Sequence, residues 1–211
     1  MQTTDRDIIN QWVFGKIFDG LKESLLVEMG LENSDINGYI GFCYMDDSMG
    51  ISCRMHSLCK KEKGKKPHIV VNLHDALKDI VLRYDCLEVI EILPQKQVKS
   101  LGLEEKSAWV EQFYESSVLV PIREREDLDQ FRAPGFFDDV EAILAPKNLE
   151  GPSEKIWVRL RGITDNENMF RGVLLNQPYG DFGVNEGDSV TVFLFKKNNK
   201  SYLICGEFSG F

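Results

Sequence analysis

The chain has little of what most enzymes, exported proteins and nucleic-acid binders rely on. Only three histidines occur in 211 residues, His56, His68 and His74, so the usual general base of hydrolytic sites has few places to stand. No Gly-x-Ser-x-Gly elbow, phosphate-cradling glycine loop or dinucleotide fingerprint is present. No run approaches the ~18 apolar residues that cross a bilayer. The opening Met1-Gln2-Thr3-Thr4-Asp5 lacks a basic stretch followed by an apolar one. Neither a membrane span nor a secretory signal is therefore expected. The cysteines number five. An odd count without an export signal points to free thiols in a reducing, cytoplasmic setting, most of them serving as small buried hydrophobes.

A basic excess is missing too: 25 Lys and Arg stand against 34 Asp and Glu, for a net charge of −9. Residues 151–211 balance at seven of each sign, so residues 1–150 carry the whole excess, 27 acidic against 18 basic. Phosphates are repelled by such a surface, and nucleic-acid binding is not expected. A basic protein partner is the class that this charge suits.

What the chain does have is an ordinary globular composition, 43% hydrophobic and 28% charged, enough to bury a core. At the start, Thr4 and Asp7 form a helix-capping pattern. Ile8, Ile9, Trp12, Val13, Ile17, Leu21, Leu25 and Leu26 follow at helical spacing up to Gly30, which predicts one long helix. Two β-prone runs at 39–45 and 51–55 flank Asp46-Asp47-Ser48-Met49-Gly50 and read as a hairpin. After a lysine-rich loop at 60–66, a third strand is expected at 68–72. A second helix then starts near Asn72 and Asp75, with Leu73, Leu77, Ile80, Val81 and Tyr84 on one face, and a strand follows over 86–93. Residues 107–116 read as a short helix and 118–122 as an edge strand holding Pro121. The charged stretch 123–129 reads as a solvated face, and 145–152 as a linker.

Beyond Pro152 the pattern is wholly β. Ile156, Val158 and Leu160 alternate with Trp157, Arg159 and Arg161, and further strands follow at 169–175, 189–195 and 201–208. With 136–144 added, five strands can curl into a small barrel or a strongly bent sheet. The fold class is therefore α+β: an N-terminal mixed α+β domain, residues 1–132, followed by an antiparallel β-barrel-like or bent-sheet module, residues 133–211.

Within that module stand Trp157-Val158, then Phe170-Arg171-Gly172-Val173-Leu174-Leu175-Asn176-Gln177-Pro178, then Gly187-Asp188-Ser189-Val190. This pattern resembles an uncharacterised bacterial family of small β-rich C-terminal domains of unknown function. The resemblance implies a small β-domain and supplies no activity. Members often end in an Asp-Trp pair, whereas this chain continues through Lys196-Lys197 into another strand. On their own chemistry, Gly172 serves a bend or a close backbone approach, and Asn176 with Pro178 ends the strand. Alternatively, Asn176, Tyr179 and Asp181 form a polar rim that contacts a ligand.

Four other groupings bear on function. Tyr44-Met45-Asp46-Asp47 spells the metal-binding hairpin of reverse transcriptases. That chemistry needs a third acid from an earlier palm strand, and only 43 residues precede the tetrad, so chance explains it better. Cys53, His56 and Cys59 have knuckle-like spacing and are the candidate metal ligands, with Cys43 facing Cys53 across the hairpin. Neither His68 nor His74 brings a paired thiol to complete a zinc site. Cys59 with His74 is a conceivable nucleophile–base pair that nothing in the spacing favours. Trp157, Phe170 and Tyr179 are candidate stacking platforms for a single strand, although aromatics on a small barrel commonly fill its core.

No cofactor is implied. The expectation is a non-catalytic bacterial protein that binds another protein, in an adaptor or immunity-type role, with the acidic N-terminal part as its contact surface. The rival readings are a metal-dependent or cysteine hydrolase using Cys53, His56, Cys59 or Asp46 and Asp47, and a nucleic-acid-binding β-barrel.

Overall fold

The apolar stripe near the N-terminus fits two periods at once, and over Gln11–Gly15 the strand wins. In the computed structural model, which describes residues 4–76, 79–114, 117–146 and 151–206, the expected long helix is three elements. The Asp7 carboxylate accepts from both the amide and the hydroxyl of Thr4, each at 2.8 Å, so the cap is present. The helix it starts, α1 (Asp5–Ile8), lasts one turn. Asn10 then takes a left-handed conformation with φ of 58°, and the chain leaves as β1 (Gln11–Gly15) before α2 (Asp19–Glu28). A strand with neighbours on both sides and packing on both faces shows a continuous apolar run, which periodicity cannot separate from a buried helix. Trp12, Val13 and Phe14 are all buried there.

The expected hairpin is β2 (Gly38–Asp46) and β3 (Gly50–Lys60). The remaining strands of this sheet are β4 (His68–Asn72), β5 (Ile80–Arg83) and β6 (Val89–Ile92). The order is β4-β3-β2-β1-β6, with β5 on β3 beside Ser52–Met55 and β4 further along the same edge. The second helix expected from Asn72 onward is instead a turn and then β5, residues 77 and 78 lying outside the described set. The Asn72 Oδ1, placed like a helix cap, does accept an amide, that of His74 at 3.1 Å, but it closes a turn. The strand expected over 86–93 begins only at Val89, after a short helical turn at Tyr84–Cys86. One face of the sheet carries Trp12, Phe14, Ile40, Phe42, Tyr44 and Cys59. Against it pack Val98 of α3 (Gln95–Ser100) and Val110 of α4 (Ala108–Phe113), together with Leu93 and Leu103.

The chain divides into two compact units, Met1–Glu115 and Ser116–Phe211. The second opens with α5 (Val120–Arg123) where an edge strand was expected. Proline at the first helical turn forfeits no hydrogen bond, and Pro121 occupies that position. Leu119, Ile122 and Leu128 pack into the core of the second unit, so the segment before Ala133 is built into the barrel.

After the two-residue β7 (Arg132–Ala133), the barrel consists of β8 (Phe136–Leu144), β9 (Glu154–Ile163), β10 (Met169–Leu174), β11 (Ser189–Lys197) and β12 (Lys200–Gly206). Consecutive strands pair antiparallel. An up-and-down run of an odd number of strands leaves the first and last pointing the same way. Closure must then be parallel, and Ile204 and Cys205 pair in that sense with Ile143 and Leu144. The protein is thus α+β with a closed five-stranded barrel. Val140, Ile156, Val158, Leu160, Phe170 and Val192 fill the interior, while Trp157 and Arg161 on β9 alternate outward. Gly172 sits at a register shift between β10 and β9. A Cβ there would overlap Val158 Cγ1, so the close backbone approach expected of the glycine is what the position requires.

Candidate functional site

The cysteine–histidine group lies along one strand, and a strand sends neighbouring side chains to opposite faces. Cys53 is fully buried as the register partner of Cys43, beside Gly41, whose absent side chain leaves room for the Cys53 Sγ. His56 belongs to the opposite face, its ring edge-on to Trp12 at 5.6 Å between centroids and its Nδ1 2.6 Å from Ser57 Oγ. Cys59 is buried with Phe14 and Ile40. Among the described residues, no group of three or more His, Cys, Asp or Glu side chains is placed to hold a metal ion. Burial raises the Cys53 thiol well above its ordinary value and pushes those of Cys59 and Cys205 up to about 12. Such thiols are not nucleophiles at neutral pH. His74 is exposed at the mouth of a cleft that Cys59 does not line, so the pair is not assembled.

Asp46 of the Tyr44-Met45-Asp46-Asp47 tetrad shapes its own hairpin. Its Oδ1 accepts from the Ser48 amide and hydroxyl, both at 2.9 Å, and from the Met49 amide at 3.0 Å. Partial burial pushes this carboxyl upward, but the Ser48 and Met49 donors outweigh it and hold it below the ordinary range. The lysine loop is also occupied locally: Lys60 pairs with Asp35 at 2.6 Å, Lys61 with Glu91 at 2.5 Å, and Lys65 with Glu62 at 2.5 Å.

The stretch 123–129 is the solvated face expected of it only at Glu124, Glu126 and Asp129, which are exposed; its other charged residues turn inward. Arg123 grips the buried Asp138 through Nε at 2.9 Å and Nη2 at 2.6 Å. Arg125 clamps Asp127 at 2.8 and 2.9 Å, donates to the Glu167 carbonyl at 2.7 Å and lies over the Phe170 ring. Its run of charges hides a segment whose arginines turn inward. Moving the division to 115/116 also redistributes charge: 19 acidic against 14 basic residues in the first unit, 15 against 11 in the second. The acidity is shared between the units.

On the barrel, the proposed rim residues do different things. Asn176 accepts the Trp157 backbone amide at 2.9 Å, and Asp181 accepts that of Gly183 at 3.2 Å; both shape backbone. Tyr179 is 99% exposed. Its amide and that of Gly180 are held by the Glu154 carboxylate at 3.0 to 3.3 Å, so a pinned loop presents a free ring. Of the three stacking candidates, Phe170 is buried inside the barrel, whereas Trp157 at 37% and Tyr179 face solvent. Residues 176–188 hold three acids, Asp181, Glu186 and Asp188, and no basic residue.

The first unit also holds a cleft of about 290 Å³ that no sequence motif marks. Trp12, Phe42 and Met55 are its buried floor, Arg54, His56, Asn72 and Trp109 its half-buried walls, and His74, Asp79, Glu105 and Lys106 its exposed rim. These residues come from β1, β2, β3, β4, α4, the loop between β4 and β5 and the short helical turn Glu104–Ser107, so no local spacing signals them. No protein-family model, no curated protein and no solved structure matches the chain.

Proposed function

We propose that this is a non-catalytic binding protein, of adaptor or immunity type, that engages a basic segment of another protein through the barrel loop carrying Tyr179. The observation that carries the reading is a tyrosine ring 99% exposed on a loop whose backbone is pinned by Glu154. A loop whose backbone is already held has less ordering entropy to lose when its aromatic docks, which suits an interface anchor. Trp157 lies on the strand to which this loop is stitched at Glu154 and through Asn176, which puts a second exposed aromatic on the same stretch of barrel. Three acids and no basic residue in 176–188 favour a Lys- or Arg-rich partner. The barrel's likeness to the bacterial family of unknown function belongs to the same proposal, as does a reducing, cytoplasmic setting, which suits five free thiols.

The cysteine hydrolase reading is disfavoured by thiols raised through burial, and the nucleic-acid reading by a buried Phe170 and an acidic loop. The test is selection from a peptide library spanning basic, neutral and acidic sequences, comparing the parent chain with Tyr179→Ala. Enrichment of basic peptides that is lost in the variant at unchanged thermal stability is expected. Equal recovery of acidic and basic peptides, or enrichment that survives Tyr179→Ala, overturns the proposal.

A further inference from the structure

We infer that the cleft lined by Trp12, Phe42, His56 and Trp109 binds a neutral, planar nitrogen heterocycle of one or two fused rings. This site lies wholly in the first unit and stands apart from the barrel-borne reading above. Its walls are aromatic and braced. Trp109 packs against Tyr44 at 5.0 Å and Tyr114 at 5.7 Å, and its indole N–H donates to the Lys106 carbonyl at 2.9 Å. The Arg54 guanidinium sits 4.8 Å from the Trp109 ring and is itself held by Asp79 at 2.7 and 2.9 Å. Trp12 stands edge-on to both Phe42 and His56, at 5.3 and 5.6 Å. Faces and edges fixed in this way suit a flat ring better than a flexible chain.

Charge then narrows the ligand. Arg54 is paired with Asp79, and the rim adds one acid, Glu105, and one base, Lys106, so the charges of the lining sum to zero and favour neither ion sign. Burial pushes the His56 imidazole down, with the Lys106 cation acting in the same direction, so His56 is neutral at pH 7. Polar groups nevertheless stand in the walls. The Asn72 Oδ1 is taken by the His74 amide, which leaves the Asn72 amide nitrogen as a donor. His56 is tied to Ser57 through Nδ1 and offers its other nitrogen. Ring nitrogens and ring N–H groups complement this set, and a plain hydrocarbon does not. At about 290 Å³ the space is at the small end of ligand pockets, ~300–1,000 Å³, which limits the occupant to one or two rings.

The test follows the indole N–H signals of the three tryptophans by NMR as adenine or benzimidazole is added at millimolar concentration, with benzoate and cyclohexanol as comparators. Trp12 and Trp109 are expected to shift with the two heterocycles, while Trp157, in the other unit, stays in place. Trp109→Ala is expected to weaken binding about tenfold, the scale of one lost stacking contact, with Trp12 still reporting occupancy. Three results overturn the inference: no shift of Trp12 or Trp109 with either heterocycle, equal shifts with benzoate or cyclohexanol, or a Trp157 shift as large as the others.

Discussion

Replacing Asp138 by Leu removes the bidentate acceptor that Arg123 of α5 reaches on β8, and this pair gives a sharp test of how the second unit is held together. The Arg123 and Asp138 side chains are 13% and 7% exposed. Solvent screening therefore does little to weaken their attraction, and water cannot replace the lost partner. Deleting one member of such a pair leaves the other charge poorly compensated, at a cost of about 3–5 kcal/mol. For a unit of this size each kcal/mol lowers the melting point by roughly 4–8 °C, so a fall of more than ~10 °C is expected. Arg123→Met should cost a similar amount for the same reason. The double variant exchanges two buried charges for two apolar side chains, and should be less destabilised than the sum of the singles by about 1–3 kcal/mol. Urea titration read by hydrogen-exchange mass spectrometry on peptides from β8 to β12 scores the barrel by itself. A loss below about 1 kcal/mol for Asp138→Leu, or strict additivity in the double variant, would refute the claim that the segment before β7 is clamped by this pair.

Gly172→Ala should destabilise the barrel by about 1–3 kcal/mol, because its methyl group meets Val158 Cγ1 at the register shift; equilibrium unfolding matching the parent would contradict that packing. Asp127 is held below the ordinary carboxylate range chiefly by its Arg125 hydrogen bonds, with Lys196 acting in the same direction. A depressed carboxyl contributes stability that is complete above its unfolded pKa of about 4 and is lost as pH falls toward the folded value. Asp127→Asn should accordingly flatten the acid limb of the barrel's stability profile and lower the plateau at neutral pH, and an unchanged profile would contradict this assignment. Cys86 is exposed, while Cys43, Cys53, Cys59 and Cys205 are buried. A maleimide applied to the native protein should thus label Cys86 alone, and all five thiols only in denaturant. Labelling of Cys59 at a rate close to that of Cys86, read by peptide mass spectrometry, would contradict its placement in the core.

The barrel is legible in the amino-acid sequence because its strands face water on one side. Burial on a single face writes an alternating pattern into the chain, as Ile156, Val158 and Leu160 against Trp157, Arg159 and Arg161 show. Gly172 is legible as a close approach for a similarly local reason. The first unit is less legible because β1 and β2 are buried on both faces, which erases alternation: Trp12, Val13 and Phe14 satisfy a helical stripe and a central strand equally. Val118 to Ile122 reads as a strand because β-branched composition outweighs Pro121, which starts α5 as readily as it tolerates an edge.

For function the division is sharper. Charge balance and the absence of several motifs are properties of the chain as written, and by themselves they narrow the classes of chemistry. Sequence alone also marks Tyr179, yet it does not separate that exposed ring from Phe170 inside the barrel, since solvent exposure depends on which way a closed sheet turns its faces. Only the tertiary structure draws Arg123 to Asp138, sets Cys53 on the face opposite His56, and collects Trp12, His56, Asn72 and Trp109 around one cleft. The cleft residues come from well-separated stretches of the chain, and what joins those on the sheet is strand pairing across β4, β3, β2 and β1, a long-range register that no local pattern encodes.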